Sequence, residues 1–229
     1  MTELRKLTLG DIVTKDIRTA SIFKNAGIDF CCGGNKNFEQ ACQEKGIDPS
    51  GIETLINSVT NEPVNNSQNF SEWDVSFLCD YIVNTHHKYV TKALPELDFY
   101  INKITSVHGE NHPELNEVLF LFGKLQNELR EHMKKEEEVL FPSIKEAISH
   151  DSGDAKSKIS TEISRMKGEH EFAGEAMDRI NELTGKYNLP ADGCNSFRLT
   201  YQMLEKFEDD LHIHVHLENN ILYPKALEL

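Results

Sequence analysis

The chain lacks any long hydrophobic run. None of its 229 residues fall in a stretch that approaches the roughly 20 apolar residues of a membrane span. The N-terminus, MTELRKLTLGDIVTKD, also lacks the apolar core of a secretion signal. The five cysteines are an odd number and their spacing shows no disulfide framework, which favours a reducing compartment. We therefore expect a cytoplasmic protein that does not associate with membranes.

Positive charge is also scarce. The chain has 24 Lys and Arg against 38 Asp and Glu, giving a net charge of −14. Such an excess repels the phosphates of nucleic acids and of anionic membranes, so neither is expected as a partner. The same acidity is compatible with a protein that handles cations.

One sequence pattern occurs twice. HMKKEEEVLFP at residues 132–142 recurs as HVHLENNILYP at residues 214–224, and both follow H-x-x-x-E-x-x-x-L-aromatic-P. His132 with Glu136, and His214 with Glu218, are four residues apart and share one face of a helix. In the second copy this face coincides with the apolar stripe, where an unpaired carboxylate would be costly. Two such faces turned inward predict a metal centre in a helical bundle.

Each copy is expected to have a partner helix upstream that supplies a further histidine. In the second half the candidate is His170, which lies 44 residues before His214. In the first half the doublet His86 and His87 leaves two candidates, and the matching spacing of 45 residues to His132 favours His87. The predicted ligand set comprises four imidazoles and two carboxylates: His87, His132, Glu136, His170, His214 and Glu218.

This ligand set suits two metal ions. If both glutamates bridge, each ion receives two nitrogens and two carboxylate oxygens, and an oxo or hydroxo bridge would still leave a position open. Imidazole with carboxylate favours iron over manganese or zinc, and the absence of thiolates from these faces argues against a structural zinc site.

Several neighbouring residues are interpreted as non-ligands. His212 and His216 lie two positions from His214 and point about 200° away from it on a helix. Glu137 and Glu138 continue an acidic run of the kind that usually faces solvent. The single cysteines Cys42, Cys79 and Cys194 are expected to be small buried side chains, and His108 and His112 to be surface residues.

The expected fold is all-α, an up-down four-helix bundle with a small N-terminal helical domain. Residues 1–60 form the small domain with helices near 16–26, 37–45 and 49–59, and the amide-rich residues 61–70 are a linker. Residues 71–229 form the bundle, with Pro95 as a possible kink in its first helix. Its long helices are predicted near 74–107, 113–149, 155–186 and 194–227.

The two H-x-x-x-E copies, with one histidine on each of the other helices, resemble the hemerythrin-like bundle. Together with GIDFCCGGN at residues 27–35, NTHHKYV, LPEL and GEH, they make the whole chain resemble the Repair of Iron Centres family. The resemblance implies two bridged iron ions held by the six predicted ligands. It also implies repair of iron–sulfur clusters damaged by oxidative or nitrosative stress, with damaged iron–sulfur proteins as clients.

The same resemblance draws attention to residues beside the centre. It implies that Cys31 and Cys32 act as thiols, and that Glu128 and Glu169 line a route for iron. Asp210, the repeat mate of Glu128, could orient a ligand imidazole. The alternatives are reduction of nitric oxide to nitrous oxide at the centre, and binding or sensing of dioxygen or nitric oxide. Whether the protein is a conventional enzyme stays open, as does its oligomeric state, with a homodimer as one alternative.

Overall fold

The computed structural model describes residues 3–61, 69–149 and 153–229, with the side chains of residues 153–155 left out. Regular structure in these ranges is helical apart from one isolated antiparallel bridge between Thr8 and Asn37. The predicted all-α class is therefore confirmed. Residues 62–68 of the predicted linker lie outside the described ranges. None of the described helices has both the length and the apolar content needed to span a membrane.

The N-terminal unit consists of short, well-capped helices. Thr8 and Asp11 form a reciprocal capping box at the first helix, and Asn37 and Asp48 accept backbone N–H groups at the third and fourth. The predicted helix at 16–26 is shorter than expected because a 3₁₀ turn precedes it, and the first helix was not predicted. The four helices are α1 Leu9–Lys15, α2 Ala20–Asn25, α3 Phe38–Glu44 and α4 Pro49–Thr60.

The bundle consists of four long helical segments, which we call the first to fourth bundle helices. Their bounds lie within a few residues of the predictions, and Pro95 lies inside α6 without ending it. The first comprises α5 Val75–Ile82, a π-helical turn Val83–His87 and α6 Lys88–His108; the second comprises α7 Glu114–Lys135, a π-turn Glu136–Leu140 and α8 Phe141–Ser149; the third is α9 Gly153–Leu183; the fourth comprises α10 Asn195–Leu217, a π-turn Glu218–Leu222 and α11 Tyr223–Leu227.

The π-turns coincide with the predicted ligands. In the second bundle helix the N–H of Phe141 bonds to the carbonyl of Glu136, five residues back. In the fourth, the N–H of Tyr223 bonds to the carbonyl of Glu218 in the same way. The residue that follows each of these is a proline, which has no N–H to donate to the next carbonyl. The aromatic residue and the proline that end each repeat therefore lie where the widened π-turn returns to an α-helix. Such π-turns are frequent at functional sites.

The N-terminal unit packs directly on the fourth bundle helix. The ring of Phe30 lies 6.0 Å from that of His212 and 5.9 Å from that of His216. The side-chain amide of Asn220 donates to the carbonyl of Cys31 at 3.0 Å. Apolar side chains of both units share one continuous core. This packing places the paired cysteines against the bundle.

Candidate metal centre

The six predicted ligand side chains converge in the core of the bundle, in two groups that share both glutamates. Within each group, one ligand atom from every residue lies within 4.8 Å of the others, and all the residues are buried. The first group is His87, Glu136, His214 and Glu218, and the second is His132, Glu136, His170 and Glu218. Glu136 and Glu218 belong to both groups, so they would be shared if each group held a cation.

Three buried polar atoms of the two groups, His87 Nε2, Glu136 Oε2 and Glu218 Oε2, make no hydrogen bond within the part of the chain that the structure describes. Glu136 Oε2 lies 3.2 Å from His132 Nε2 and 3.3 Å from His87 Nε2. Nitrogen and oxygen ligands about 2.0–2.2 Å from one ion lie about 3 Å apart when adjacent. The donor set therefore fits a pair of metal ions, which would satisfy atoms that are otherwise costly to bury.

Without metal, the buried carboxylates and imidazoles shift one another's pKa values. Burial disfavours the imidazolium form of His132, but the Glu136 carboxylate outweighs it and raises the pKa of His132 to about 10. Burial likewise opposes ionisation of Glu136, yet His132 and His87 hold its pKa well below the usual range. The pKa of His214 is lowered, mainly by its burial. The site is thus charged and paired, and a cation would displace the protons.

The structure brings His87, the favoured member of the doublet, into the ligand group. His86 is also buried, but its Nδ1 lies 3.1 Å from Asp210 Oδ1 and its ring stacks on His214 at 5.3 Å. Asp210 therefore contacts an imidazole outside the two ligand groups, and not a predicted ligand as the sequence analysis suggested.

Two of the ligand imidazoles are oriented through their Nδ1 atoms by residues of the repeat. His87 Nδ1 lies 2.8 Å from Glu137 Oε1, and His170 Nδ1 lies 3.0 Å from Asn219 Oδ1. Such partners set the tautomer and the ring orientation of a metal ligand. The sequence analysis missed both contacts, although Glu137 is exposed and outside the two ligand groups, as expected. The repeat carries the signal that could have found them, because each residue directly follows a shared glutamate.

The two acids predicted to line an iron route differ in position. Glu169 Oε2 lies 2.9 Å from His132 Nδ1, and its other oxygen accepts from Lys135 at 2.6 Å. Burial opposes its ionisation, but these partners lower the pKa of Glu169 to about 2. Glu128 is exposed on the second bundle helix, whereas Glu169 is the acid that contacts His132 Nδ1.

Two aromatic rings from the repeat cover the centre. Phe141 stacks on His87 at 5.9 Å and 17°, and Tyr223 stacks on His170 at 5.9 Å and 2°. The hydroxyl of Tyr223 donates to Glu136 Oε1 at 2.8 Å. Burial and the nearby Glu136 and Glu218 carboxylates hold the pKa of Tyr223 well above its usual value, so the phenol remains a donor.

Cys31 and Cys32 differ in accessibility. Both thiols are free. Cys31 is 5% exposed, and its pKa is raised well above the usual value by its hydrogen bond with Cys32, by burial and by Asp29. Cys32 is half-buried, and its Sγ lies 3.5 Å from the backbone oxygen of His170. Both cysteines line a cleft of ≈ 900 Å³ between the N-terminal unit and the bundle.

The remaining predictions about single residues have mixed outcomes. His212 and His216 are not in either ligand group. Cys42 and Cys79 are buried as expected. The expectation for Cys194 is wrong, because it is exposed at the start of α10 with its Sγ 3.2 Å from His108 Nε2. At a helix N-terminus the first backbone N–H groups have no partner within the helix, so they can bind a thiolate at this position.

Comparisons with known proteins agree with this architecture. Residues 80–226 match the Hemerythrin HHE cation binding domain, and residues 5–60 match a Domain of Unknown function (DUF542) named ScdA_N. The chain is 33% identical to iron-sulfur cluster repair protein ScdA of Staphylococcus epidermidis, over 95% of this chain and 96% of that protein. It is 34% identical to iron-sulfur cluster repair protein ScdA of Staphylococcus haemolyticus, over 95% of this chain and 96% of that protein. It is 30% identical to iron-sulfur cluster repair protein YtfE of Yersinia pestis, over 98% of both.

Proposed function

Because the chain belongs to the hemerythrin HHE cation-binding family, we propose that it is a di-iron protein that repairs iron–sulfur clusters damaged by oxidative or nitrosative stress by donating iron. The observation that carries this proposal is the pair of buried groups joined through Glu136 and Glu218. The repair activity named for relatives that align over the whole chain supports the choice of reaction. The clients would be damaged iron–sulfur proteins in the cytoplasm.

The residues of the centre are suited to iron that must also leave. His87 and His214 would hold one ion, His132 and His170 the other, and Glu136 and Glu218 would be shared. Fe²⁺ stands low in the affinity order of divalent metals, so these ligands bind it less tightly than they would bind zinc or copper. When bound, the iron pair supplies an open coordination position at which nitric oxide or dioxygen could bind.

We propose a route by which iron leaves the centre. Glu169 links His132 to Lys135, and we propose that it and the exposed Glu128 are acids that iron meets on its way out. Cys32 is the more accessible of the paired thiols and lies against the backbone of His170. It faces the cleft, so we propose that it contacts iron or the client during delivery.

The test is to purify the protein without oxygen, measure its iron, and incubate it with a nitrosylated iron–sulfur enzyme without added iron. We expect two irons per chain, recovery of the client enzyme, and loss of iron from the donor in proportion. Two irons without recovery, but with sustained consumption of nitric oxide in the presence of a reductant, would instead support a nitric oxide reductase. A chain that binds no iron would refute both activities.

The role of the thiol is tested separately by Cys32→Ser, with Cys194→Ser as the matched control. Cys194 is exposed at the N-terminus of α10, outside the cleft that Cys32 lines. We expect Cys32→Ser to slow recovery of the client while two irons remain bound, and Cys194→Ser to leave recovery unchanged. Equal recovery in both variants would exclude Cys32 from delivery but would not affect the di-iron centre.

A further inference from the structure

A line of aromatic rings leads from the metal centre toward the surface. The predicted ligand His214 stacks on His86, with 5.3 Å between the ring centroids and 9° between the ring planes. His86 contacts Tyr81 at 5.8 Å, and Tyr81 contacts Trp73 at 5.0 Å, both edge to face. These separations lie within the range of direct ring contacts. We call Trp73, Tyr81 and His86 the aromatic path.

The outer end of the aromatic path is accessible to solvent. Trp73 and Tyr81 are half-buried, whereas His86 is buried. Trp73 is the single tryptophan of the chain. Its backbone carbonyl accepts from Lys225 Nζ at 2.8 Å, and its ring packs edge-on against Phe77 at 4.9 Å. These contacts hold the indole beside Tyr81, so the path joins a buried ligand to rings that solvent reaches.

The rings on the other ligand imidazoles do not continue in this way. Phe141 stacks on His87 and Tyr223 stacks on His170, and both of these rings are buried. Among the residues that the structure describes, neither ring contacts a further ring that leads outward. Packing by itself requires only apolar rings, but the aromatic path carries tyrosine and tryptophan, the two aromatic side chains that give up an electron most readily.

We propose that the aromatic path carries one electron from the surface to the centre when hydrogen peroxide reacts there. This inference rests on the proposed function, because a protein that donates its iron passes through a state with a single iron. Reduction of peroxide to two water molecules takes two electrons, and one ferrous ion supplies only one of them as it becomes ferric. The second electron then comes from the protein.

The electrons and protons balance along the aromatic path. Tyr81 loses one electron to the centre and releases its phenolic proton to water, and the two protons that peroxide takes up come from water. The Tyr81 radical then takes an electron from Trp73 and a proton from water, while the indole N–H of Trp73 releases its proton. A soluble one-electron donor such as ascorbate returns an electron to Trp73, and water returns the proton. His86, in contact with both Tyr81 and His214, passes the electron without being oxidised.

The expected benefit is protection of the ligands. Without the aromatic path, the second oxidising equivalent stays beside the buried imidazoles, which are the side chains closest to it. The path moves this oxidation to Trp73, where a soluble reductant can reverse it.

The experiment loads wild-type protein, Trp73→Phe and Tyr81→Phe with one Fe²⁺ per chain without oxygen, and then adds one equivalent of hydrogen peroxide. Phenylalanine keeps a ring in the cluster but is much harder to oxidise. Tyr89→Phe is the matched control, because Tyr89 is also half-buried on the first bundle helix but packs on Phe207. Radicals trapped by rapid freezing are detected by electron paramagnetic resonance, and oxidised residues are located by mass spectrometry of peptides.

We expect wild type and Tyr89→Phe to show a protein radical and oxidation of Trp73, both suppressed by ascorbate. Tyr81→Phe should show several-fold less oxidation of Trp73. Both path variants should show several-fold more oxidation of the peptide that contains His214, and ascorbate should not prevent it. Wild-type protein loaded with zinc, which supplies no electron, should show neither product.

Equal oxidation of Trp73 in wild type and Tyr81→Phe, or unchanged oxidation of the His214 peptide in the path variants, would overturn the inference. Iron content and urea unfolding are measured for every variant. If Trp73→Phe is less stable, Tyr81→Phe still decides the question, since it removes only a hydroxyl. A wild-type chain that binds no iron would instead refute the proposed function, so the two failures are distinguishable.

Discussion

Replacement of Gly34 by alanine tests whether the cysteine loop is docked on the bundle as described. A Cβ at this position would lie 2.7 Å from the carbonyl oxygen of Phe30 and would also meet the side-chain amide of Asn220. Real Cβ contacts of this kind are essentially never shorter than 3.0 Å, so either the loop or Asn220 must move. Asn220 is the residue that donates to the carbonyl of Cys31, so displacement loosens the docking of both cysteines.

The expected cost follows from these contacts. Overpacking costs about 1–3 kcal/mol, and loss of the Asn220 hydrogen bond adds about 0.5–1.5 kcal/mol. We expect Gly34→Ala to lower the free energy of unfolding by about 1.5–4.5 kcal/mol. For a chain of this size, each kcal/mol shifts Tm by about 2–4 °C. Gly34 does not have a positive φ, so alanine causes no backbone strain there. The loss of stability would therefore come from the contacts of the new Cβ with Phe30 and Asn220.

Gly51→Ala is the matched control in the same unit. Gly51 lies in α4, is exposed, and a Cβ there would meet no atom within 4 Å. Because alanine restricts the unfolded chain, this change should stabilise the protein by about 0.4–1 kcal/mol. Both variants are compared by urea unfolding and by alkylation of Cys31, which should become faster only in Gly34→Ala. Equal stability of Gly34→Ala and wild type, with Cys31 still protected, would refute the described docking.

Three further predictions concern titration and metal binding. Backbone N–H groups at the start of α10, with His108, lower the pKa of Cys194 to about 7. Iodoacetamide should therefore modify Cys194 quickly at pH 7.5, and His108→Gln should shift the pH dependence of that reaction to higher pH. An unchanged pH dependence would contradict the pairing of Cys194 with His108. Glu137→Ala removes the partner of His87 and should weaken iron binding about 10- to 100-fold. Glu138 is also exposed, and Glu138→Ala should leave iron binding unchanged. Equal iron affinities in the two variants would count against a role of Glu137 in orienting His87. The pKa of His132 in the metal-free fold is about 10 against 6.5 when unfolded, so the fold binds more protons than the unfolded chain. Urea unfolding of metal-free protein should show its stability falling as pH rises from 6.5 to 10, and a flat profile would argue against the pairing with Glu136.

Much of the centre could be predicted because its components are local. On a helix, residues four apart share a face, so the pairs His132 with Glu136 and His214 with Glu218 were recognisable without knowledge of any other helix. The two copies of the pattern then indicated two equivalent helices. His170 was the candidate in the upstream helix of the second half, and the matching distance between halves then favoured His87. The bounds of the long bundle helices were predicted to within a few residues for the same reason, since apolar periodicity over many turns is a strong signal.

Some assignments depend on details that apolar periodicity does not give. The choice between His86 and His87 depends on a π-turn, which changes the direction of successive side chains from that of an α-helix. The contact of Glu137 with His87 required the position of the first bundle helix, which is distant in the sequence.

The sequence by itself therefore determined the helical class, the repeated His–Glu pairs and the inward face that carries them, because these follow from the fixed periodicity of an α-helix. Only the tertiary structure decided how the faces meet. It decided that Glu136 and Glu218 are shared between two groups, that Tyr223 bonds to Glu136, and that Cys32 lies against His170. These contacts join residues that are far apart in the sequence, and their distances are set by side-chain packing, which no local pattern encodes.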